Sequence, residues 1–113
     1  MRNSAKAAAK WKGAAPVFAA LGHETRLALV ARLSSGGSVS IARLTTGSAL
    51  TRQAITKHLH VLADAGLVRS VHRGRERIWD LKTKQLDEAR QYLEAISLRW
   101  DSALARLKKF VEE

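Results

Sequence analysis

The sequence predicts a mainly α-helical domain with one small β-hairpin (α+β), and three observations predict it. Apolar residues recur at helical spacing, most clearly at Ala54, Ile55, Leu59, Leu62 and Ala63. Two runs rich in Val, Ile and Trp, Leu67 to His72 and Glu76 to Leu81, are joined through Arg73-Gly74-Arg75, the pattern of a hairpin. From Lys82 onward the chain has neither Pro nor Gly and keeps its apolar residues in a seven-residue repeat, the pattern of one long helix.

Composition narrows the class. The 113 residues suffice for one domain, and 46% hydrophobic residues give it a core, though one small enough to gain from oligomerisation. There is no cysteine, which excludes disulfides and thiolate metal sites and suits a cytoplasmic setting. No apolar run approaches the roughly 20 residues that span a membrane, and the N-terminal stretch lacks the apolar core of a signal peptide. The net charge is +10, and it is unevenly spread. Residues 1–20 hold four basic and no acidic groups, residues 51–81 six against three, and residues 82–113 seven against six. The excess lies on the N-terminal stretch, the centre and the hairpin, where a polyanion would be met.

Taken in order, Met1 to Gly13 is basic, Ala-rich and without a periodic face. It is expected as a flexible basic arm (1–13), with helix near Trp11, ahead of a domain spanning 14–113. Such an arm either adds phosphate contacts or only solubilises the chain. Pro16 suits a helix start, and Val17, Phe18, Ala20 and Leu21 give a short apolar helix ending at Gly22. His23, more a cap than a ligand, opens a second helix with Leu27, Val30, Ala31 and Leu33 facing inward. Ser34-Ser35-Gly36-Gly37 stops it. Ser38-Val39-Ser40 is a short extended bridge, and Ser40 is placed to cap Ile41-Ala42-Arg43-Leu44. Thr45-Thr46-Gly47-Ser48 breaks that helix, and Thr51 caps the next.

The helix from Thr51 has an apolar footing and a donor-rich outer face of Thr51, Arg52, Gln53, Thr56, Lys57 and His60. Arg and Lys can bond guanine edges, Gln can bond adenine, and Thr can bond a base or a phosphate. A basic outer face can also be no more than a solvated one. Ala65-Gly66 ends the helix, since Gly adopts a left-handed cap at little cost. A short helix, a tight turn and a longer helix make a helix-turn-helix, and the hairpin that follows adds a wing. Within the hairpin Val71, Ile78 and Leu81 are expected to face the core. Arg73, Arg75 and Arg77 crowd its tip, either to hold phosphates or to keep the edge strands soluble. The resulting architecture is a winged helix-turn-helix with a long C-terminal helix.

That last helix, residues 83–111, repeats Leu86, Leu93, Trp100 and Leu107 every seven residues, with Ala89, Ile96, Ala103 and Phe110 offset by three. These are the a and d positions of a helix pair over four heptads. About 28 residues would extend about 42 Å, too far for so small a domain to cover. A second subunit is the simplest partner, and folding back on the chain's own core is the other.

Two stretches, Phe18-Ala19-Ala20-Leu21-Gly22-His23-Glu24-Thr25-Arg26-Leu27 and the run from Ala54 to Val68, resemble the ArsR/SmtB-type winged-helix repressors of bacteria. In the second, His58-Leu59, Leu62 and Ala65-Gly66-Leu67-Val68 fall in that family's recognition-helix register. The resemblance covers about Val17 to Val111. It implies a homodimer paired through its first helix, at Phe18, and its last, with transcription repressed at an inverted-repeat operator. Many relatives release DNA on binding a metal. Their cysteine pair would fall around Ser40 to Leu44, which reads Ser-Ile-Ala-Arg-Leu, and the last helix has no His. The resemblance is therefore to a subgroup without metal sites, and no metal or cofactor is expected. The inducer is left unknown.

His58 and His60 lie about 200° apart on a helix and cannot chelate one ion together. Both are expected as helix-surface or packing residues that touch phosphates. No nucleophile elbow or Gly-rich phosphate loop is present, so the chain does not read as an enzyme. The leading function is a sequence-specific DNA-binding transcriptional regulator, a repressor acting as a homodimer on double-stranded DNA. The alternative is a winged-helix module that binds protein instead.

Overall fold

A computed structural model describes the backbone of residues 2–112 and the side chains of residues 12–112. Its elements run α1 (Arg2–Leu21), α2 (Glu24–Gly36), β1 (Val39–Ser40), α3 (Ile41–Thr45), α4 (Arg52–Asp64), β2 (Val68–Arg73), β3 (Glu76–Leu81) and α5 (Thr83–Glu112).

The first helix differs from expectation at its start. It begins at Arg2 rather than Pro16, taking in the stretch expected as an arm, and Pro16 lies inside it. Alanine has the highest helix propensity of any residue, and residues 5–9 are Ala-Lys-Ala-Ala-Ala. The phosphate contacts considered for Arg2, Lys6 and Lys10 lie outside the described side chains. Toward its C-terminus α1 buries Ala14, Val17 and Ala20.

Helix α2 buries Leu29 and Leu33, while Leu27 and Ala31, expected to face inward, are exposed. The run Leu-Ala-Leu-Val-Ala-Arg-Leu is apolar nearly all round, so its periodicity does not choose a face. Ser40 caps α3 as expected, its Oγ accepting from the Arg43 amide at 3.2 Å. Helices α3 and α4 form the helix-turn-helix. Ile41, Leu44, Ile55, Leu59 and Leu62 meet Val17, Leu29 and Leu33 in one core.

The sheet has three strands rather than two, in the order β1-β3-β2, all antiparallel. The bridge Val39–Ser40 supplies the third strand, paired Val39 to Trp79 and Ser40 to Ile78. The hairpin pairs Ser70 with Trp79 and Val71 with Ile78. Side chains alternate across a sheet, so Trp79 and Ile78 point to opposite faces. Trp79 takes the core at 1% exposure, with Val68 beside it, while Val71 is 47% exposed and Ile78 half-buried on the other face. The expectation that Val71 and Ile78 face the core is thus corrected by one residue of register. Leu81 packs on the core as expected. The neighbouring Ile78 and Trp79 are both apolar, and only the strand on each side of β3 settles which turns inward. Trp79 Nε1 is buried with no hydrogen-bond partner among the described residues.

Helix α5 packs its first half on α1. Ala89 is buried there, Leu86 joins the core's edge, and the Tyr92 ring lies 6.0 Å from that of Phe18. Its second half extends away and leaves Trp100, Leu104, Leu107, Phe110 and Val111 exposed.

Candidate nucleic-acid interface

The placement of α4 is fixed at both ends by local chemistry. Thr51 is extended at φ −71° and ψ 159°, and its Oγ1 accepts from the Ala54 amide at 3.1 Å. That satisfies one of the donors a helix start leaves open, a cap worth about 1 kcal/mol. At the other end Gly66 has φ +78°. The Leu67 amide donates to the Leu62 carbonyl and the Gly66 amide to the Ala63 carbonyl, both at 2.9 Å, the paired bonds of a Schellman motif. A Cβ on Gly66 would meet Gln85 Cγ at 3.1 Å, so the turn from α4 into β2 is also sterically tight.

Between these ends α4 divides cleanly. Ile55, Leu59 and Leu62 are buried, while Arg52, Gln53, Lys57 and His60 are exposed on the far side. No carboxylate occurs between Thr51 and Val61, so the outer face is cationic and rich in donors. Thr56 is half-buried, and its hydroxyl donates to the Arg52 carbonyl at 2.8 Å. A hydroxyl oxygen that donates once can still accept.

The wing stands beside this face. Gly74 at φ +62° and Arg75 make a two-residue connection between β2 and β3. A single positive φ at the first of two central residues matches a type II′ turn, which follows the twist of a hairpin. Arg73 and Arg75 are exposed, and Arg77 is half-buried with Nη2 3.4 Å from His72 Nε2 across the hairpin. Lower down, Asp80 ties the strands together. It accepts from the Ser38 hydroxyl and pairs with Arg69 at 3.8 Å.

The two histidines of α4 go to different places. His60 is exposed, with its ring edge-on to Trp79 at 5.9 Å, so it adjoins both the outer face and the sheet. His58 is half-buried and turned to α2, 4.5 Å from the ring of His23 and 3.3 Å from Arg26 Nη1. The structure thus gathers Thr51, Arg52, Gln53, Thr56, Lys57 and His60 on one face and keeps His58 off it. Burial first, and then the electrostatic influence of His23 and Arg26 beside it, hold His58 below the ordinary histidine range. His23 caps α2 as expected, its Nδ1 accepting from the Thr25 amide at 3.1 Å. Arg26 was not singled out by the sequence, since nothing in its spacing points to a partner 32 residues away.

A family metal does not fit these residues. In α3 the side chains where thiolates would stand are apolar and buried at Ile41 and Leu44, with Ser40 engaged as a cap. Among the described residues no three His, Asp or Glu side chains gather at metal-holding distance.

Comparison with known proteins agrees with this geometry. A helix-turn-helix domain family matches residues 21–71, which runs from the end of α1 into the wing. The HTH-type transcriptional regulator YuzN of Bacillus subtilis (strain 168) is 41% identical over 68 residues, covering 55% of this chain and 74% of that protein. Among solved structures, an ArsR-like transcriptional regulator from Rhodococcus sp. RHA1 is 38% identical with a TM-score of 0.73, over 88% of this chain and 93% of that one. A second ArsR family transcriptional regulator is 27% identical with a TM-score of 0.69, over 82% and 92% of the two chains. The chain belongs to the ArsR family of winged helix-turn-helix, DNA-binding transcriptional regulators.

Proposed function

We propose that two copies of this chain pair through α1 and α5 and repress transcription at an inverted-repeat operator, with α4 of each copy in a major groove. The observation that carries the reading is the outer face of α4, cationic, carboxylate-free and exposed from its first turn. In this docking mode the N-terminal part of the second helix reaches base edges. Arg52, Gln53, Thr56 and Lys57 then read the groove, Thr51 and His60 hold flanking phosphates, and Arg73, Arg75 and Arg77 hold the backbone beside it. Pairing is supported by Leu93, Trp100, Leu107 and Phe110, all more than half exposed, with Phe18, Ile96 and Ala103 partly exposed. Leu86 and Ala89, expected in the same seam, instead pack on the chain's own core because the first half of α5 lies over it. Two linked α4 helices would meet half-sites roughly 34–36 Å apart. The setting is cytoplasmic, where double-stranded DNA is the partner. No helix among the described residues is long and apolar enough to cross a membrane.

Selection of bound duplexes from a random-sequence pool tests the reading. Enrichment of a two-fold-symmetric site is expected, with affinity falling steeply as salt rises because several phosphates are neutralised. Failure to enrich any site, with binding indifferent to salt, would leave the protein-interaction module as the better account. Adding zinc at roughly micromolar concentration is expected to leave affinity for the selected duplex unchanged, as the chain has no thiolate and α5 has no His. Stoichiometric release by zinc would reveal a ligand set that the residues above do not provide.

A further inference from the structure

The guanidinium of Arg26 joins three helices. Its Nε donates to the carbonyl of Ala20 in the last turn of α1, at 2.5 Å, and its Nη1 lies 3.3 Å from Nδ1 of His58 in the middle of α4. Guanidinium nitrogens only donate, so His58 Nδ1 must accept and its proton sits on Nε2. His23 closes the group from α2, with its own Nδ1 occupied by the Thr25 amide. The charged and titratable groups acting on His58 are therefore His23 and Arg26, both from α2. From α1 the group receives only the Ala20 carbonyl, and α4 itself places no charged side chain against it among the described residues.

We propose that Arg26 is a positioning residue that orients the DNA-reading helix against α1 and α2 through neutral His58, so that protonating His58 loosens α4 and weakens DNA binding. The proposal rests on α4 being the reading helix. Helix α1 also packs on α5, so the path from Ala20 through Arg26 to His58 ties the frame of the molecule to the middle of α4. A proton on Nδ1 turns the acceptor into a donor and sets an imidazolium against a guanidinium in a half-buried place. The bond is lost and replaced by repulsion. The sign of the effect is the useful part. A histidine that touches phosphate is charged more readily on DNA, so acid tightens binding; a histidine held neutral by Arg26 gives the reverse.

Three variants and two readouts test this. Binding to the selected duplex is measured between about pH 7.5 and pH 5.5 for the wild type, His58→Gln and His58→Leu. Gln keeps an acceptor and cannot titrate; Leu has no acceptor. The ratio of wild-type to His58→Gln affinity should fall roughly three- to tenfold on acidification, the scale of one net hydrogen bond. His60 and His72, which pack on Trp79 and Arg77 rather than on His58, are common to both proteins and cancel in the ratio. His58→Leu should bind more weakly than His58→Gln throughout. A ratio that rises in acid makes His58 a phosphate contact, and a flat ratio, or His58→Leu equal to His58→Gln, removes the positioning role. The second readout needs no DNA: in Arg26→Lys, whose ammonium cannot bridge both acceptors, the His58 ring titrates at higher pH by NMR. An unmoved titration overturns the Arg26–His58 link itself. If the link is present but no duplex binds at any pH, the reading of α4 has failed and the link has not.

Discussion

Helices α4 and α5 both carry an apolar stripe at helical spacing, yet one stripe is closed within the chain and the other is open over half its length. In α4, Ile55, Leu59 and Leu62 are at most 2% exposed. In α5 the same kind of pattern leaves Trp100 62% and Phe110 79% exposed. The difference follows from length. Thirteen residues of α4 extend about 20 Å and lie wholly over the core, whereas the thirty of α5 extend about 45 Å and outrun it. An amphipathic stripe thus states which face is apolar and leaves open what covers it. In α4 the covering is α2, α3 and the sheet, and the polar face is freed for DNA. In α5 the chain itself supplies no covering for the exposed apolar residues of the second half, which is the physical case for the proposed dimer.

The largest effects should separate these two stripes. Leu59→Ala removes a fully buried side chain and should cost about 2–5 kcal/mol in denaturant unfolding, with the oligomeric state unchanged. Trp100→Asp combined with Leu107→Asp alters side chains that the single chain leaves exposed. Each subunit should keep its helical circular-dichroism signal, while sedimentation reports monomers, because carboxylates buried in a seam have no partner there. Paired and unpaired half-sites also differ in affinity, so binding to the selected duplex should fall with the dimer. A dimer that survives the double substitution would place the seam away from Trp100 and Leu107.

The sequence showed some of these features plainly and hid others. Ser40 and Thr51 cap the helices their positions suggested, and Gly66 and Gly74 turn where a left-handed residue is needed, because such signals are local. The outer face of α4 was equally legible, since polar and apolar residues alternate there at one period. Trp79 was not, because its neighbour Ile78 is as apolar as it is. Only pairing with β1, forty residues upstream, decides between them. Arg26 and His58 were hidden for the same reason. Each looks like a surface residue of its own helix, and the bond between them exists only once α2 and α4 are packed. The start of α1 is hard to read because residues 2–13 have no periodic apolar face, and alanine propensity is a weaker signal than periodicity.

A smaller effect distinguishes reading from holding. Gln53→Ala should weaken binding to the selected duplex by about 1–3 kcal/mol if the amide makes two bonds to an adenine, and should leave binding to a scrambled duplex nearly unchanged. Arg75→Ala should weaken both duplexes by similar factors and lower the salt slope by about one unit, as the loss of one phosphate contact does. The reverse outcome, with Gln53→Ala general and Arg75→Ala selective, would move sequence reading to the wing through minor-groove shape.

The smallest expected effect returns to the closed side of α4 and concerns stability rather than DNA. His58 is held below the ordinary histidine range first by burial, then by His23 and Arg26. In the unfolded chain it titrates near the usual value of about 6.5. The unfolded state therefore binds the proton first as pH falls, so acid favours unfolding. The contribution of neutral His58 is fully present above the unfolded value and is lost as pH drops from there toward the folded one. Below the folded value both states are protonated and the slope vanishes. Helix α5 has no His, so the open seam carries no imidazole of its own to titrate in this window. Chemical denaturation of the wild type and His58→Gln at steps between about pH 7.5 and pH 5 should show the wild type losing stability relative to the variant on the acid side. If His58→Gln loses as much as the wild type, the acid sensitivity belongs to another histidine, and the packing of α4 on α2 does not depend on a proton.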